Sequence, residues 1–257
     1  MSQDLLCSAI KLPVIGLVRF RQSRDIPGDA VIKLARIVKR ASGWYIMLTL
    51  QWAVDVPQHL PHGEGMGIDA GLTSFIATSN GFLLPRPKFF VGLQRKLKLL
   101  QQRVSRKKLG SNNWRKAQQK VAKLYEQISN TRKHFHWQVA HHLCDSAGMI
   151  FVEDLNCKAQ AAGMLAKHCL DVAWAQFFQI LKQCCFKRGV FFMEVDFKKT
   201  SQICPSCLVE TGKKDLSERV HKCNSCGYQT DRDVAAAQVV LNRGLAAVGH
   251  TVKMLRG

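Results

Sequence analysis

The chain has 257 residues, 47% of them hydrophobic, enough to bury one large core or two smaller ones. Its 38 Lys and Arg against 18 Asp and Glu give a formal net charge of +20, which implies an anionic partner, most simply nucleic acid. No apolar run reaches the roughly 18 residues that a membrane helix needs, and no cleavage pattern follows the first residues, so neither a membrane partner nor a signal peptide is expected.

Residues 5–56 read as β. The stretches 17–20, 31–38 and 44–52 are rich in β-branched and aromatic residues, and Ser42-Gly43 is a turn signal between the last two. The chain starts abruptly in this region, as if partway through a β domain, and a polar stretch with Pro and Gly closes it at residues 57–65. Next comes Met66-Gly-Ile-Asp69, an apolar strand expected to pair with its successor, Ser74-Phe-Ile-Ala-Thr. Asn80-Gly81 is a hairpin turn signal. A carboxylate on a buried strand is costly unless it binds something, so Asp69 is either a ligand or a turn residue beside Gly71.

Residues 88–142 read as a basic two-helix hairpin broken at Gly110-Ser-Asn-Asn113. Between Lys88 and Ala140 stand 14 Lys and Arg against one acid, Glu126. A solvated face would mix signs, so this one is expected to hold phosphates through Arg95, Lys96, Arg103, Arg106, Lys107, Lys108, Arg115, Lys116, Arg132 and Lys133. His134, His136, His141 and His142 lack metal spacing and read as helix surface or core. Met149-Ile-Phe-Val-Glu153 is a buried strand with an acid at its exit. A helix is expected over 164–187, with Met164, His168, Asp171, Trp174 and Phe177 mainly in core packing, and another strand over 189–196.

The strongest local signal is Cys204-Pro-Ser-Cys207, a spacer of 15 residues, and Cys223-Asn-Ser-Cys226. Two such knuckles close a tetrahedron of thiolates around one structural Zn²⁺, with no open position for catalysis. The other six cysteines have no framework spacing, which fits a reducing cytosol. Directly after the second knuckle stand Asp231 and Asp233, at the start of the apolar run Val234-Ala-Ala-Ala-Gln-Val-Val-Leu. The ribbon thus reads as a device that places an acid at a helix start. Three acids far apart in sequence, Asp69, Glu153 and Asp233, could converge only if divalent cations relieved their repulsion, and hard oxygen ligands suit Mg²⁺ or Mn²⁺. A pair of such ions can activate water and stabilise a leaving oxygen in phosphodiester cleavage.

The motifs Gly67-Ile-Asp69-Ala-Gly71, Val152-Glu153-Asp154-Leu155-Asn156, Thr200-Ser201-Gln202 before the first knuckle, and Asp231-Arg-Asp233 after the second resemble, in the same order, those of the TnpB (OrfB) proteins. These are encoded by bacterial and archaeal insertion sequences, carry the name transposase, and are relatives of the type V CRISPR effectors. The resemblance implies an α/β fold, a RuvC-like nuclease domain of the RNase H-like class interrupted by a four-cysteine zinc ribbon. It places a partial, wedge-like N-terminal β-barrel at 1–62, the nuclease core at 63–199, the ribbon at 200–230 and a C-terminal RuvC-like helix at 231–257. It assigns catalysis to Asp69, Glu153 and Asp233, of which the last competes with Asp231. It implies DNA and a transposon-derived guide RNA as partners, and a prokaryotic cytoplasm at the nucleoid. Two departures stand out. The N-terminal region is shorter than is usual in the family, and Ala235 stands where the family usually has Asn. The rival readings are an inactive nucleic-acid-binding protein, and a ribbon protein of ribosomal or transcriptional type, which leaves Asp69 and Glu153 unexplained.

Overall fold

The structure is a computed structural model, and it describes residues 7–53, 57–71, 73–154, 170–215 and 217–250. The motif residues Leu155 and Asn156, and Met164 and His168 of the expected helix, lie outside these. The chain divides into two compact units, residues 1–58 with 100–126, and residues 59–99 with 127–257.

In the first unit β1 (Cys7–Leu12) pairs antiparallel with β2 (Gly16–Arg21), and β3 (Val31–Arg40) with β4 (Gly43–Gln51). Among the described residues these form two separate two-stranded sheets. The basic helices form with the expected break: α1 spans Gln94–Ser105 and α2 spans Asn112–Ser146, with Gly110 at φ +77 in the turn between them. Both helices run from one unit into the other, and Val121 and Leu124 are buried on the part of α2 in the first unit.

The second unit is built on a five-stranded sheet of order β7-β6-β5-β8-β9. Its strands are β5 (Gly65–Asp69), β6 (Ser74–Thr78), β7 (Leu83–Pro85), β8 (Met149–Glu153) and β9 (Phe191–Val195). Strands β5, β8 and β9 are parallel, while β6 and β7 fold back antiparallel through the Asn80-Gly81 turn. The interior strand β8, parallel to its neighbours on both sides, is buried along its whole length, as a parallel strand covered on both faces must be. Period-2 alternation divides its side chains between two cores. Ile150 and Val152 join Met66, Ile68, Val139, Leu143, Phe177 and Leu181, where α2 and α3 (Trp174–Arg188) cover one face. Met149 and Phe151 join Val195 and Val240 on the opposite face, which α4 (Arg232–Ala247) covers. Residues 170–172 are helical, and Ala173 at φ +54 interrupts the helical path before α3 resumes it at Trp174; residues 164–169 of the expected helix lie outside the described residues. Asp171 stands before that break, and its carboxylate accepts hydrogen bonds from the backbone N–H of Phe90 at 2.7 Å and Val91 at 3.4 Å.

Gly67 sets how closely α4 lies on the sheet. A Cβ there would stand 2.0 Å from the Ala237 carbonyl oxygen and 2.5 Å from the Leu241 nitrogen, so helix backbone meets strand backbone directly. Gly244 repeats the contact one strand over, where a Cβ would fall 2.1 Å from the Phe151 ring. Neither obstacle at Gly67 is a flexible side-chain end, so Gly67→Ala must push the helix outward. The expected cost is that of overpacking, roughly 1–3 kcal/mol or more. A chemical-denaturation midpoint equal to that of the unmodified protein would show that the contact is looser than this.

Candidate functional site

The same alternation that builds the two cores also places the acids. Asp69 follows Gly65 and Gly67 on the α4 face of β5, and Glu153 follows Met149 and Phe151 on the α4 face of β8. The parallel register sets Ile68 opposite Val152, which puts Asp69 beside Glu153 at the carboxyl ends of adjacent strands. Such ends are where open α/β sheets bind ligands. Helix α4 begins over this edge and carries Asp233 in its first turn. Asp69, Glu153 and Asp233 are therefore brought to one edge of the sheet from three sequence-distant elements, although among the described residues only the four cysteines have ligand atoms all within 4.8 Å of one another.

Electrostatics agree with this placement. The Asp69 pKa is raised well above the usual carboxylate range, first by burial, then by the charges of Glu153 and Asp233, with Arg232 pulling the other way. Burial also raises Glu153, against a hydrogen bond from the Thr200 hydroxyl at 2.5 Å and the nearby cation of Arg243. Asp233 is raised by burial and by Asp231, and eased by Arg219, Arg232 and a hydrogen bond with Ser74. A set of hard oxygen donors that raise one another's proton affinity suits a divalent cation, which replaces the repulsion with attraction.

The structure separates the two candidates that follow the second knuckle. Asp231 is the last residue of β11 (Gln229–Asp231) and the N-cap of α4, its carboxylate accepting from the N–H groups of Asp233 at 2.8 Å and Val234 at 3.3 Å. One oxygen of that carboxylate, Oδ1, closes the helix end. Asp233, two residues further on, is the acid of the two whose charge raises Asp69 more strongly.

The four cysteines form the tightest ligand cluster of the described residues, with all four sulfurs within 4.8 Å of one another. Cys204 and Cys226 Sγ atoms are 3.7 Å apart, and those of Cys207 and Cys223 are 3.6 Å apart. A disulfide would need about 2.05 Å, whereas a tetrahedron with zinc–sulfur bonds near 2.3 Å has edges of about 3.8 Å. The cluster can hold a zinc ion. Each knuckle turns on its own backbone bonds, Leu208 N–H to Cys204 O and Gly227 N–H to Cys223 O, both 2.9 Å. N–H groups of Cys226 and Ser225 pull the Cys223 thiol down to about 6, while burial pushes Cys204 up to about 12. The hairpin of β10 (Val220–Lys222) with β11 leads straight from this cluster into α4.

Several residues that bind this assembly together carry no sequence signal. Gln238 accepts from the Tyr228 hydroxyl at 2.9 Å and donates to Ser79 O at 3.3 Å, linking helix, ribbon and the β6 edge. Asn242 donates to Pro205 O at 2.8 Å, inside the first knuckle. Arg243 donates to the carbonyls of Asp196 and Lys198. In the sequence Gln238 and Asn242 are ordinary polar helix residues, and only their burial, each 8% exposed, marks them.

Of the basic candidates, Arg103, Arg106, Lys107, Lys108, Arg115 and Lys116 are exposed in the first unit, and Arg95, Lys96 and Lys133 in the second. Arg132 differs, because its guanidinium is half-buried and donates to the carbonyls of Leu170 at 3.1 Å and Asp171 at 3.2 Å. It holds α2 to the segment before α3 rather than facing solvent. No helix among the described residues is long and apolar enough to cross a membrane.

Two family models match, one described as "Probable transposase" (OrfB_IS605) over residues 49–162 and one as the TNB domain of Cas12f1-like proteins over residues 174–240. Among curated proteins, InsQ of Escherichia coli (strain K12), named as an RNA-guided DNA endonuclease, is 31% identical over 95% of this chain and 63% of its own length. A protein of Streptomyces pristinaespiralis with the same kind of name is 31% identical over 88% of this chain and 56% of its own. The chain thus spans roughly three-fifths of the length of these relatives. Among solved structures, the Cas12f1 chain of a complex with sgRNA and target DNA aligns with a TM-score of 0.53 at 18% identity, covering 81% of this chain and 56% of that one. At that identity the likeness shows a shared fold.

Proposed function

Because the chain belongs to the TnpB (OrfB) family, we propose that it is a transposon-associated, metal-dependent DNA endonuclease guided by RNA, with the second unit as its RuvC-like core. The observation that carries this reading is the convergence of Asp69, Glu153 and Asp233 on the α4 side of one sheet edge. Relatives named as RNA-guided DNA endonucleases, and a like-folded protein in complex with sgRNA and target DNA, support the reaction class and the partners.

The three acids would hold two Mg²⁺ or Mn²⁺ ions, and Cys204, Cys207, Cys223 and Cys226 one structural Zn²⁺. When bound, the hard cations activate water and stabilise charge on the departing oxygen of the phosphodiester. The protein's own groups set up that chemistry. Thr200 orients the Glu153 carboxylate, Ser74 that of Asp233, and Asp231 fixes where α4 starts. Arg232 and Arg243 favour the ionised forms that a cation needs. The exposed basic residues of α1 and α2 grip the polyanion whether or not the acids act. They therefore also support a second reading, a nucleic-acid-binding protein that cuts nothing.

The test is divalent-ion-dependent cleavage of DNA by protein co-expressed with its transposon end, comparing two neighbouring acids. Asp233→Ala is expected to abolish cleavage while leaving the fold intact. Asp231→Ala is expected to cost about 1 kcal/mol of stability through the lost cap and to retain most of the activity. Equal losses of activity in both variants would overturn the assignment. Absence of cleavage in the unmodified protein would favour the binding protein.

Binding itself is expected to be mainly electrostatic. If six phosphates are neutralised, the log–log salt slope on duplex DNA should be about −5, and replacing Arg103, Arg106, Lys107 and Lys108 with Gln should flatten it. A slope near zero in the unmodified protein would count decisively against phosphate gripping.

A further inference from the structure

The first unit contains a basic groove that the sequence does not reveal, because its walls lie some seventy residues apart. One wall is the end of β3, with Lys39, Arg40 and Ala41; the other is the start of α2, with Asn112, Arg115, Lys116, Gln118 and Gln119. Among the described residues no acid lines it. Both walls belong to the same compact unit. Ser42 braces them: its hydroxyl donates to Glu126 on α2 at 2.6 Å and accepts from the Tyr45 hydroxyl at 2.9 Å. The brace engages the carboxylate nearest in sequence to the groove with a neutral hydroxyl.

The same two cations of the hairpin wall also lie over aromatic rings. Lys39 Nζ is 5.4 Å from the centre of Trp44, and the Arg40 guanidinium is 5.5 Å from that of Tyr45. Both rings are open to solvent, Trp44 at 69% and Tyr45 at 44% exposure. Paired cations on two walls suit a chain of phosphates, and the three amides can both donate to and accept from sugars or base edges. The two rings line a neighbouring hollow with residues 18–23 and adjoin the groove through the cations stacked on them, offering stacking faces that unpaired bases can use. A duplex keeps its bases stacked on one another.

We propose that the groove between the β3–β4 turn and the start of α2 binds a single-stranded stretch of nucleic acid, with Lys39, Arg40, Arg115 and Lys116 on its phosphates and Trp44 and Tyr45 beside its bases. The proposal rests on the nucleic-acid-binding part of the function above and adds a place and a strandedness to it.

The test uses the full chain and three fluorescent probes: a 15-nucleotide oligouridylate, an oligothymidylate of equal length, and a 15-base-pair DNA duplex. The fourfold variant K39Q/R40Q/R115Q/K116Q is expected to bind the single strands at least tenfold more weakly, with a salt slope shallower by about 3. The two-charge control K182Q/K187Q on α3 should change affinity less than twofold, and K39Q/R40Q alone should exceed it clearly. Tyr45→Leu should weaken the single strands more than the duplex. Equal loss of duplex and single-strand binding in the fourfold variant would overturn the strandedness. A fourfold variant no weaker than the control would overturn the site, while normal binding by the unmodified protein would leave the nucleic-acid reading standing. Binding of no probe, even at low salt, would remove that reading and the groove with it. Acetylation footprinting of the unmodified protein checks the site without substitution. Lys39 and Lys116 should be protected by oligouridylate and Lys182 should not, and an unprotected Lys39 would again overturn the proposal.

Discussion

Asp69→Ala should abolish the rise in melting temperature that Mn²⁺ or Mg²⁺ gives the unmodified protein, together with any cleavage, and leave DNA affinity nearly intact. The folded protein crowds the Asp69 carboxyl against Glu153 and Asp233, so it holds the Asp69 proton more tightly than the unfolded chain does. Stability from that proton is present below the ordinary carboxylate pKa and is lost as pH rises through the raised value. At neutral pH the metal-free site is therefore a source of strain, and a cation that binds only the folded state relieves it by mass action. Removing Asp69 removes both the strain and the ligand. The variant should melt at or above the temperature of the metal-free parent, and its stability should fall less as pH rises. The basic residues expected to grip phosphates are other residues than these three acids, so binding should persist. Differential scanning fluorimetry across pH, with and without Mn²⁺, reads all of this. A thermal shift that survives in Asp69→Ala would place the cation elsewhere.

The second large effect is expected at the cysteines. One zinc per chain should be found by elemental analysis of protein purified without chelator, and Cys223→Ser should partly unfold the C-terminal third. Structural zinc in finger peptides is worth on the order of 10–16 kcal/mol at neutral pH, more than the whole stability of a typical domain. The effect should reach the acids. Asp233 stands two residues beyond β11, and α4 is tied to the ribbon through Tyr228 with Gln238 and Pro205 with Asn242. Cys223→Ser should therefore also lose the Mn²⁺ shift. Protein that is free of zinc and fully folded would refute the structural role.

The parts legible in the sequence are those written in local spacing. The two Cys-x-x-Cys turns announce their tetrahedron because each pair is confined to four residues. Asp69 and Glu153 stand out because a charge on an apolar strand needs a reason. What could not be read is what depends on pairing across distance. The parallel register that sets Asp69 beside Glu153 joins residues about eighty positions apart. The sequence prefers Asp233 because it begins the helix run, but that Asp231 Oδ1 caps that helix is a geometry the Asp-Arg-Asp string carries only implicitly. Arg132 looked like every other cation of its helix until its carbonyl partners appeared. Gly67 could be noted as part of a motif, but the helix backbone lying over it comes from a segment about 170 residues later.

That contact has a consequence for how substitutions would sort. A glycine that meets a carbonyl oxygen and an amide nitrogen allows no repacking, since neither neighbour has a rotamer to change. The distance from the β5 acid to the α4 acid is thus gauged by main chain, and side-chain variation elsewhere in the core can alter stability without altering that gauge. A saturation library screened for soluble protein would be intolerant at Gly67 and Gly244 and permissive at the three acids. The same library screened for cleavage would be intolerant at all five. The two maps subtracted from one another would leave the acids alone, a separation of chemistry from architecture that this sheet and helix make unusually clean.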